Sequence, residues 1–337
     1  RKGYHGSSGQ DHDTRSLQGK GYLSGHAKQN PMMHDWNRVL VRNCDGTAFL
    51  ASADDAWEVD GTPLYFRGRD NALAVVDALL REHGMDRATE VVISGCSAGG
   101  VAAVLLADLL RDRIVAGSRS RSPVFVAALS DSGVFPEWSK PAPTGLLTFP
   151  QFEWIHVHVN ASGGAPARCL AQGFAWRCLH VGVALPFVTT PVFLVQSAVD
   201  SWHVSDPDRS ESLGVLAHRI REEVLSAVRA PHAAAVDSCF HHCQEWGNIR
   251  WGSQSNAAVF QSWYESRRQE WLKRARAPAG VPPSASGVIF EGWPLMHAAE
   301  PWVESCYAGQ SGHRLWHQAL HRLGPSSTTS GSAAEPP

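Results

Sequence analysis

The chain has 337 residues, of which 43% are hydrophobic and 18% are charged. This length suits one large domain or two ordinary ones, and the apolar content excludes collagen-like and wholly disordered chains. The net charge of −2 leaves no basic excess to hold a polyanion, so nucleic acid is not an expected partner. No apolar run approaches the roughly 18–20 residues that a membrane-spanning helix needs, so no membrane span is expected.

The first residue is Arg1, and neither the charged nor the apolar region of a signal peptide follows it. Either a signal has been removed or the sequence starts inside a longer protein. The seven cysteines are an odd number. In an oxidising compartment, at least one of them therefore lacks a partner within the chain.

Apolar periodicity predicts strands and helices that alternate along the chain. The predicted strands cover 36–42, 90–94, 123–130, 191–197 and 233–239. The predicted helices cover 70–83, which Gly84 ends, then 98–114, 213–224 and 256–276. This alternation predicts an α/β fold with a mostly parallel central sheet and flanking helices.

Three stretches depart from the alternating pattern. Residues 136–190 contain Pro, Gly, Trp and two cysteines, and are predicted to form an inserted cap over the sheet. Residues 277–286 are rich in Pro, Ala and Ser, which is typical of a linker, and we take 277–323 as a linker and C-terminal extension. Residues 324–337 are predicted to be a disordered tail. The main domain is therefore expected within 1–276.

A candidate nucleophile stands in the segment Gly-Cys-Ser-Ala-Gly at 95–99, which matches the pattern G-x-S-x-G. Ser97 falls between a predicted strand and a predicted helix, which is the context that this motif requires. The small residues let the backbone turn sharply, and the helix N-terminus faces developing negative charge. Cys96 occupies the x position, whose side chain should point into the fold, so we expect a buried thiol there.

A serine nucleophile needs a general base and a carboxylate that orients the base. In α/β-hydrolases the acid follows the serine and precedes the histidine. Asp200 follows the predicted strand 191–197 and fits this position, with Asp131 as its main competitor. Asp206 and Asp208 are better explained as residues at a helix start.

The base should lie on a loop after the last predicted strand, where spacing alone leaves both His241 and His242 as candidates. Cys239 and Cys243 flank them, but the spacing C-x-H-H-C is too tight for a structural zinc site, and no second ligand pair recurs. We therefore expect these cysteines to form disulfides, and we expect no metal and no cofactor.

Several segments, in order and at matching spacing, resemble the pectin acetylesterase family, which includes the animal Notum carboxylesterases. They are W-N-R-V at 36–39 with C-D-G at 44–46, L-Y-F-R-G at 64–68, S-G-C-S-A-G-G at 94–100, L-S-D-S-G at 129–133, D-S-W at 200–202 and S-C-F-H-H-C-Q at 238–244. The resemblance covers most of 1–275 and implies an α/β-hydrolase-like fold for the domain 1–276.

The resemblance also implies Ser97 as the nucleophile, Asp200 as the acid and His242 as the base. The family histidine precedes C-Q, which selects His242 over His241. The family acid precedes S-W, which makes Asp131 a structural residue beside the site.

The oxyanion hole is where the sequence departs from the family, which has a glycine-rich G-G-W-C segment ahead of W-N-R-V. That segment is absent, and the first residues resemble those that follow it, so we expect the chain to start just downstream of it. The N–H of Ala98 remains as an oxyanion donor. Loss of one such donor typically lowers turnover by roughly 10²–10³.

By resemblance, the expected reaction is hydrolysis of an ester, which removes acetyl groups from a cell-wall polysaccharide such as pectin. Two alternatives stay open: removal of a lipid acyl group from a protein, as in the animal branch, and carbohydrate binding by a catalytically weakened member. The candidates for the substrate pocket are Trp202, Asp131 and Phe135. Aromatic residues of the insertion either line a pocket or pack, with packing favoured.

Cys169 and Cys178 stand close together in the insertion and are candidates for a local disulfide, while Asn160-Ala161-Ser162 is a glycosylation sequon. Together with the family habit, these features predict a secreted protein, extracellular or in the cell wall. Cys44 is expected to have lost its partner with the missing segment. We expect the protein to be a monomer.

Overall fold

The structure is a computed structural model that describes residues 19–136, 149–204, 213–243, 245–251, 254–276 and 288–291. These residues all belong to one compact unit, Arg1–Met296. The predicted helix-start residues Asp206 and Asp208 and the predicted tail 324–337 lie outside the described residues.

The strands, numbered along the chain, are β1 (Trp57–Val59), β2 (Thr62–Leu64), β3 (Glu90–Cys96), β4 (Phe125–Asp131), β5 (Val192–Ser197), β6 (Ala233–Asp237), β7 (Arg250–Trp251), β8 (Gln254–Ser255) and β9 (Val288–Glu291). Five of them form a parallel sheet in the order β3-β4-β5-β6-β9. The others form two antiparallel hairpins, β1-β2 and β7-β8. The predicted α/β fold with a parallel central sheet is therefore confirmed.

The inner strands are uninterrupted apolar runs because helices or loops cover both faces of a parallel sheet. Every residue of β4, β5 and β6 is buried. Polar residues of these strands appear only in their last two positions, which hold Ser130, Asp131, Gln196, Ser197 and Asp237. The carboxyl ends of the strands are the edge at which open α/β sheets place their sites.

The helices, numbered along the chain, are α1 (Gly68–Glu82), α2 (Ala98–Leu105), α3 (Ala107–Gly117), α4 (Phe149–His158), α5 (Ala167–Leu170), α6 (Val181–Ala184), α7 (Ser201–Val204), α8 (Leu213–Ala227) and α9 (Asn256–Arg276). The predicted helix 98–114 is thus divided into two, because Leu106 leaves helical geometry with φ −91° and ψ 1°. None of the described helices combines the length and the apolar character that crossing a membrane requires.

Side chains alternate across the sheet and build one apolar core on each face. Val126 and Ala128 of β4 join the larger core, which includes α2, α3 and the short helices of the predicted cap. Phe125 and Leu129 face the other side and pack in a smaller core with Phe260 of α9. The sheet is therefore a middle layer between two sets of helices.

The predicted strand at 36–42 is wrong. Residues 37–44 have no regular secondary structure, and Val39, Leu40 and Val41 are 50%, 54% and 38% exposed. A β-branched and apolar run becomes a strand only when a neighbouring backbone accepts its hydrogen bonds. No described strand pairs with this segment.

The strand after β5 in the sheet, predicted at 233–239, ends at Asp237, and it is not the last one. Val288–Glu291 forms β9, which pairs in parallel with β6 and places Ala235 opposite Phe290. This strand falls within the predicted linker and C-terminal extension, 277–323. Its apolar run has only four residues and follows a Pro/Ala/Ser-rich stretch, so the sequence pattern did not indicate a strand there. The limits of the predicted domains stay predictions.

Candidate active site

Ser97 stands at a sharp turn between the end of β3 and the start of α2. Its backbone has φ 58° and ψ −123°, a conformation that residues with a side chain rarely adopt. The N–H of Ser97 donates to the carbonyl of Asp131, 2.8 Å away, at the end of the neighbouring strand. This hydrogen bond holds the strained turn against β4.

Small residues around Ser97 make the turn possible. A Cβ atom added at Gly95 would lie 2.1 Å from the carbonyl oxygen of Gly99, and one at Gly100 would lie 3.0 Å from Cα of Gly133. The backbones therefore approach more closely than any side chain allows. This is the physical reason for the first glycine of the G-x-S-x-G motif and for Gly100, which directly follows the motif.

The predicted oxyanion donor, the N–H of Ala98, belongs to the first turn of α2. N–H groups in the first turn of a helix have no acceptor within the helix, and they carry the positive end of its dipole. Ala98 is 6% exposed, so this N–H lies in a largely water-excluded place. An anion that forms beside Ser97 would meet a favourable field there.

Asp200 follows β5 and is fully buried, and it contacts His242. The Nδ1 atom of His242 lies 2.8 Å from both carboxylate oxygens. Gln196 Nε2 and the backbone N–H of Trp202 also donate to the carboxylate, over 3.2 and 2.9 Å. Asp200 thus holds His242 through one nitrogen.

The charge state of Asp200 follows from these contacts. Burial raises the pKa of Asp200, but the hydrogen bond from His242, the charges of His203 and His242, and the N–H of Trp202 together bring that pKa below its ordinary value. The carboxylate is therefore ionised and accepts the proton on Nδ1 of His242. Nε2 of His242 is left to exchange a proton, on a side chain that is 17% exposed.

The structure separates the two histidines that spacing left as candidates. His241 turns to a different carboxylate and donates from Nε2 to Asp237, 3.0 Å away. Its side chain is 4% exposed, so it is closed off from a substrate. Asp131, the competing acid, accepts from the hydroxyl of Ser132 at the end of β4.

The cysteine beside the nucleophile is not a buried thiol, as its position in the motif suggested. Cys96 forms a disulfide with Cys243, 147 residues away. The end of β3 and the loop after β6 meet at the carboxyl edge of the sheet, which no local pattern reveals. The expected local disulfide Cys169–Cys178 is confirmed, and Cys239 is disulfide-bonded as predicted for the C-x-H-H-C segment.

The three predicted pocket residues differ in what they offer a substrate. Trp202 is partly exposed, and its ring faces that of His242 with a centroid distance of 6.2 Å and an interplanar angle of 25°. Phe135 packs edge-on against Trp202 at 5.2 Å and is only 2% exposed. Asp131 is 4% exposed. Trp202 is therefore the one of the three with appreciable free surface.

Comparison with known proteins agrees with a site of the hydrolase type. The sequence profile of the Pectinacetylesterase family matches residues 1–280. The chain belongs to the pectinacetylesterase family.

Relatives and solved structures fall into two groups. Pectin acetylesterase 5 of Arabidopsis thaliana is 30% identical over 308 residues, covering 80% of this chain and 69% of the relative. Palmitoleoyl-protein carboxylesterase notum1 of Xenopus laevis is 26% identical, covering 86% of this chain and 62% of the relative. A crystal structure of the Wnt deacylase Notum from Drosophila superposes with a TM-score of 0.64 at 23% identity, covering 78% of this chain and 77% of that chain.

The chain spans less than two thirds of the length of several curated relatives that it matches, for example 65% of pectin acetylesterase 11 and 61% of pectin acetylesterase 4, both of Arabidopsis thaliana. The likeness to Notum concerns the fold, and the α/β-hydrolase-like architecture is shared.

Sequence reasoning missed Gln196, which is fully buried at the end of β5. Its Oε1 accepts from the N–H of Val134 and its Nε2 donates to Asp200. An amide inside the apolar run P-V-F-L-V-Q-S was the available signal, because a buried polar group needs a specific partner.

Metal ligation has no support among the residues that the structure describes. No three His, Cys, Asp or Glu side chains in that part of the chain are grouped so that they could share an ion. His241 and His242 each bind a carboxylate instead.

Proposed function

We propose that this protein is a serine carboxylic-ester hydrolase that removes O-acetyl groups from a cell-wall polysaccharide such as pectin. The observation that carries the proposal is the hydrogen bond between His242 and the buried Asp200, at the same edge of the sheet as Ser97 in its strained turn. Membership of the pectinacetylesterase family supports it.

The reaction we propose has two halves. The hydroxyl of Ser97 attacks the acyl carbon while Nε2 of His242 takes its proton, and the N–H of Ala98 stabilises the oxyanion. The tetrahedral intermediate collapses, and His242 returns the proton to the departing sugar hydroxyl. Water then attacks the acyl-enzyme with His242 again as base, and acetate leaves while Ser97 regains its proton.

The role of Asp200 in this scheme is electrostatic. Bound to Nδ1, it holds His242 in the tautomer whose Nε2 can accept a proton, and it stabilises the imidazolium that forms. Three donors hold its carboxylate in place, so the negative charge of Asp200 already faces His242 before the substrate binds.

The similarity to Notum supports a second candidate, the removal of a lipid acyl group from a protein. The two candidates differ in the acyl chain that they accept. A pocket for a long chain needs a deep apolar channel, whereas an acetyl group needs only a shallow one beside Trp202. A third candidate, carbohydrate binding without catalysis, predicts no turnover at all.

We further propose that the protein works outside the reducing cytoplasm, as a secreted monomer. The disulfides Cys96–Cys243 and Cys169–Cys178 support an oxidising compartment. Light scattering of the purified protein tests the monomer.

The test compares the protein with its Ser97→Ala variant on p-nitrophenyl esters of two to sixteen carbons and on acetylated pectin. We expect Ser97-dependent release of p-nitrophenol that is fastest for acetate, and release of acetate from pectin. A maximum at long chains would favour the Notum-like activity. Equal rates for the protein and the variant would contradict the hydrolase proposal.

A further inference from the structure

Asp237 and His241 form a buried ion pair that the proposed reaction does not use. Nε2 of His241 lies 3.0 and 3.1 Å from the two carboxylate oxygens of Asp237, and the two side chains are 4% and 3% exposed. A buried ion pair is a weak source of stability because the loss of hydration offsets the attraction. Its place at the end of β6, directly before His242, calls for another explanation.

The pair braces two loops against each other. The carboxylate of Asp237 also accepts the N–H of Cys239, 2.9 Å away, and its carbonyl accepts the N–H of Ala198, 2.7 Å away. The carbonyl of His241 accepts the N–H of Ser201, 3.0 Å away. These contacts join the loop of the candidate base to the loop of the candidate acid.

His241 also brings a positive charge to the site. Burial alone would lower the pKa of His241, but the charge and hydrogen bond of Asp237, and the charges of Asp131 and Asp200, raise that pKa to about 9. These three carboxylates stand at the ends of β4 and β6 and just after β5, around the imidazole. His241 is therefore an imidazolium at neutral and mildly acidic pH.

This positive charge offsets the negative charge of Asp237, 3.0 Å away, on the loop that carries His242. We propose that Asp237 and His241 are positioning residues, which hold His242 against Asp200 and whose opposite charges cancel, so that the loop of His242 carries no unbalanced buried charge. This inference rests on the proposed function, in which His242 is the base for Ser97.

The test is the pH profile of kcat/KM on p-nitrophenyl acetate for His241→Gln. We expect its acid limb to move upward by about half a pH unit to one unit, because one positive charge has left and Asp237 has lost its partner. The double variant Asp237→Asn/His241→Gln removes both charges. Its acid limb should return toward that of the unaltered protein.

His232 offers a matched control. It is also a buried histidine, 3% exposed, but it lies at the amino-terminal end of β6, where it bonds to the N–H of Val192 and the carbonyl of Val188. Burial lowers the pKa of His232 to about 4, so it carries no charge near neutral pH. His232→Gln should lower stability and leave the acid limb where it is.

An acid limb of His241→Gln that coincides with that of His232→Gln would overturn the proposal. If His241→Gln does not fold, NMR titration of ¹³C-labelled histidines in the unaltered protein decides. A His241 that stays protonated above pH 7.5 supports the proposal, and one that loses its proton below pH 7 overturns it. Absence of any Ser97-dependent turnover would instead count against the proposed function, while the titration still tests the charge of His241.

Discussion

A disulfide joins Cys96 to Cys243, and so ties the residue before Ser97 to the residue after His242. The N–H of Cys243 also donates to the hydroxyl of Ser132, 2.9 Å away, beside the end of β4. One covalent bond thus spans the candidate nucleophile and the candidate base, which stand on separate loops. This bond limits how far the two loops can move apart.

The first prediction concerns removal of this bond in Cys96→Ala/Cys243→Ala. We expect kcat per folded molecule to fall at least about tenfold with little change in KM, because a small displacement of catalytic groups costs up to about 10² in rate. Steady-state kinetics on p-nitrophenyl acetate measures this.

The matched control is Cys169→Ala/Cys178→Ala, which removes the other disulfide in the described part of the chain for which both partners are placed. In the chain-entropy account, the long loop contributes roughly 5 kcal/mol of stability and the short one roughly 2.7 kcal/mol, so both variants are expected to melt earlier. Equal kcat values for the two double variants would show that the disulfide does not position the site.

The second prediction concerns the glycines around Ser97. Gly95→Ala brings a Cβ within 2.1 Å of the backbone of Gly99, so we expect a loss of about 3 kcal/mol or more in the free energy of unfolding. Gly99→Ala meets nothing within 4 Å and should leave stability unchanged or slightly raised. Urea denaturation compares the two, and similar losses would contradict the described turn.

The third prediction separates the two candidate acids. Asp200→Asn should lower kcat by about 10⁴, since the amide no longer selects the tautomer of His242. Asp131→Asn should lower kcat less than about tenfold once the folded fraction is matched. A larger loss in Asp131→Asn than in Asp200→Asn would reverse the assignment.

The fourth prediction is a loss of stability at alkaline pH. The pKa of His241 is raised by its carboxylate neighbours to about 9 in the folded protein, against 6.5 in the unfolded chain. As the pH rises, His241 therefore loses its proton in the unfolded state before it does so in the folded state. The contribution of His241 to the free energy of unfolding is complete below about pH 6.5 and is lost as the pH rises through 9. The free energy of unfolding should fall over this range, and His241→Gln should flatten the fall.

The sequence predicted those parts of the fold that depend on local patterns. The helix Asn256–Arg276 agrees with its predicted bounds, and each end of the strands β3 to β6 lies within two residues of the predicted one. Apolar periodicity and a strand-turn-helix context around Ser97 are properties of short windows. They need no knowledge of the rest of the chain.

The remaining features depend on contacts between distant segments. The run at Val39–Val41 is apolar and β-branched, but no described strand pairs with it, whereas the four residues of β9 find β6 as a partner. The tertiary arrangement of the strand ends determines that Cys96 pairs with Cys243. It also determines that His241 and His242 bind different carboxylates. These contacts cannot be predicted from the spacing of residues along the sequence.

The central claim is that Ser97 is an activated nucleophile. Diisopropyl fluorophosphate reacts with such serines and loses fluoride, so mass spectrometry of the treated full protein tests the claim most directly. We predict one diisopropylphosphoryl group per chain, located by peptide mapping on Ser97 and absent from Ser97→Ala. An unmodified protein, or a label on any other residue, would contradict the account.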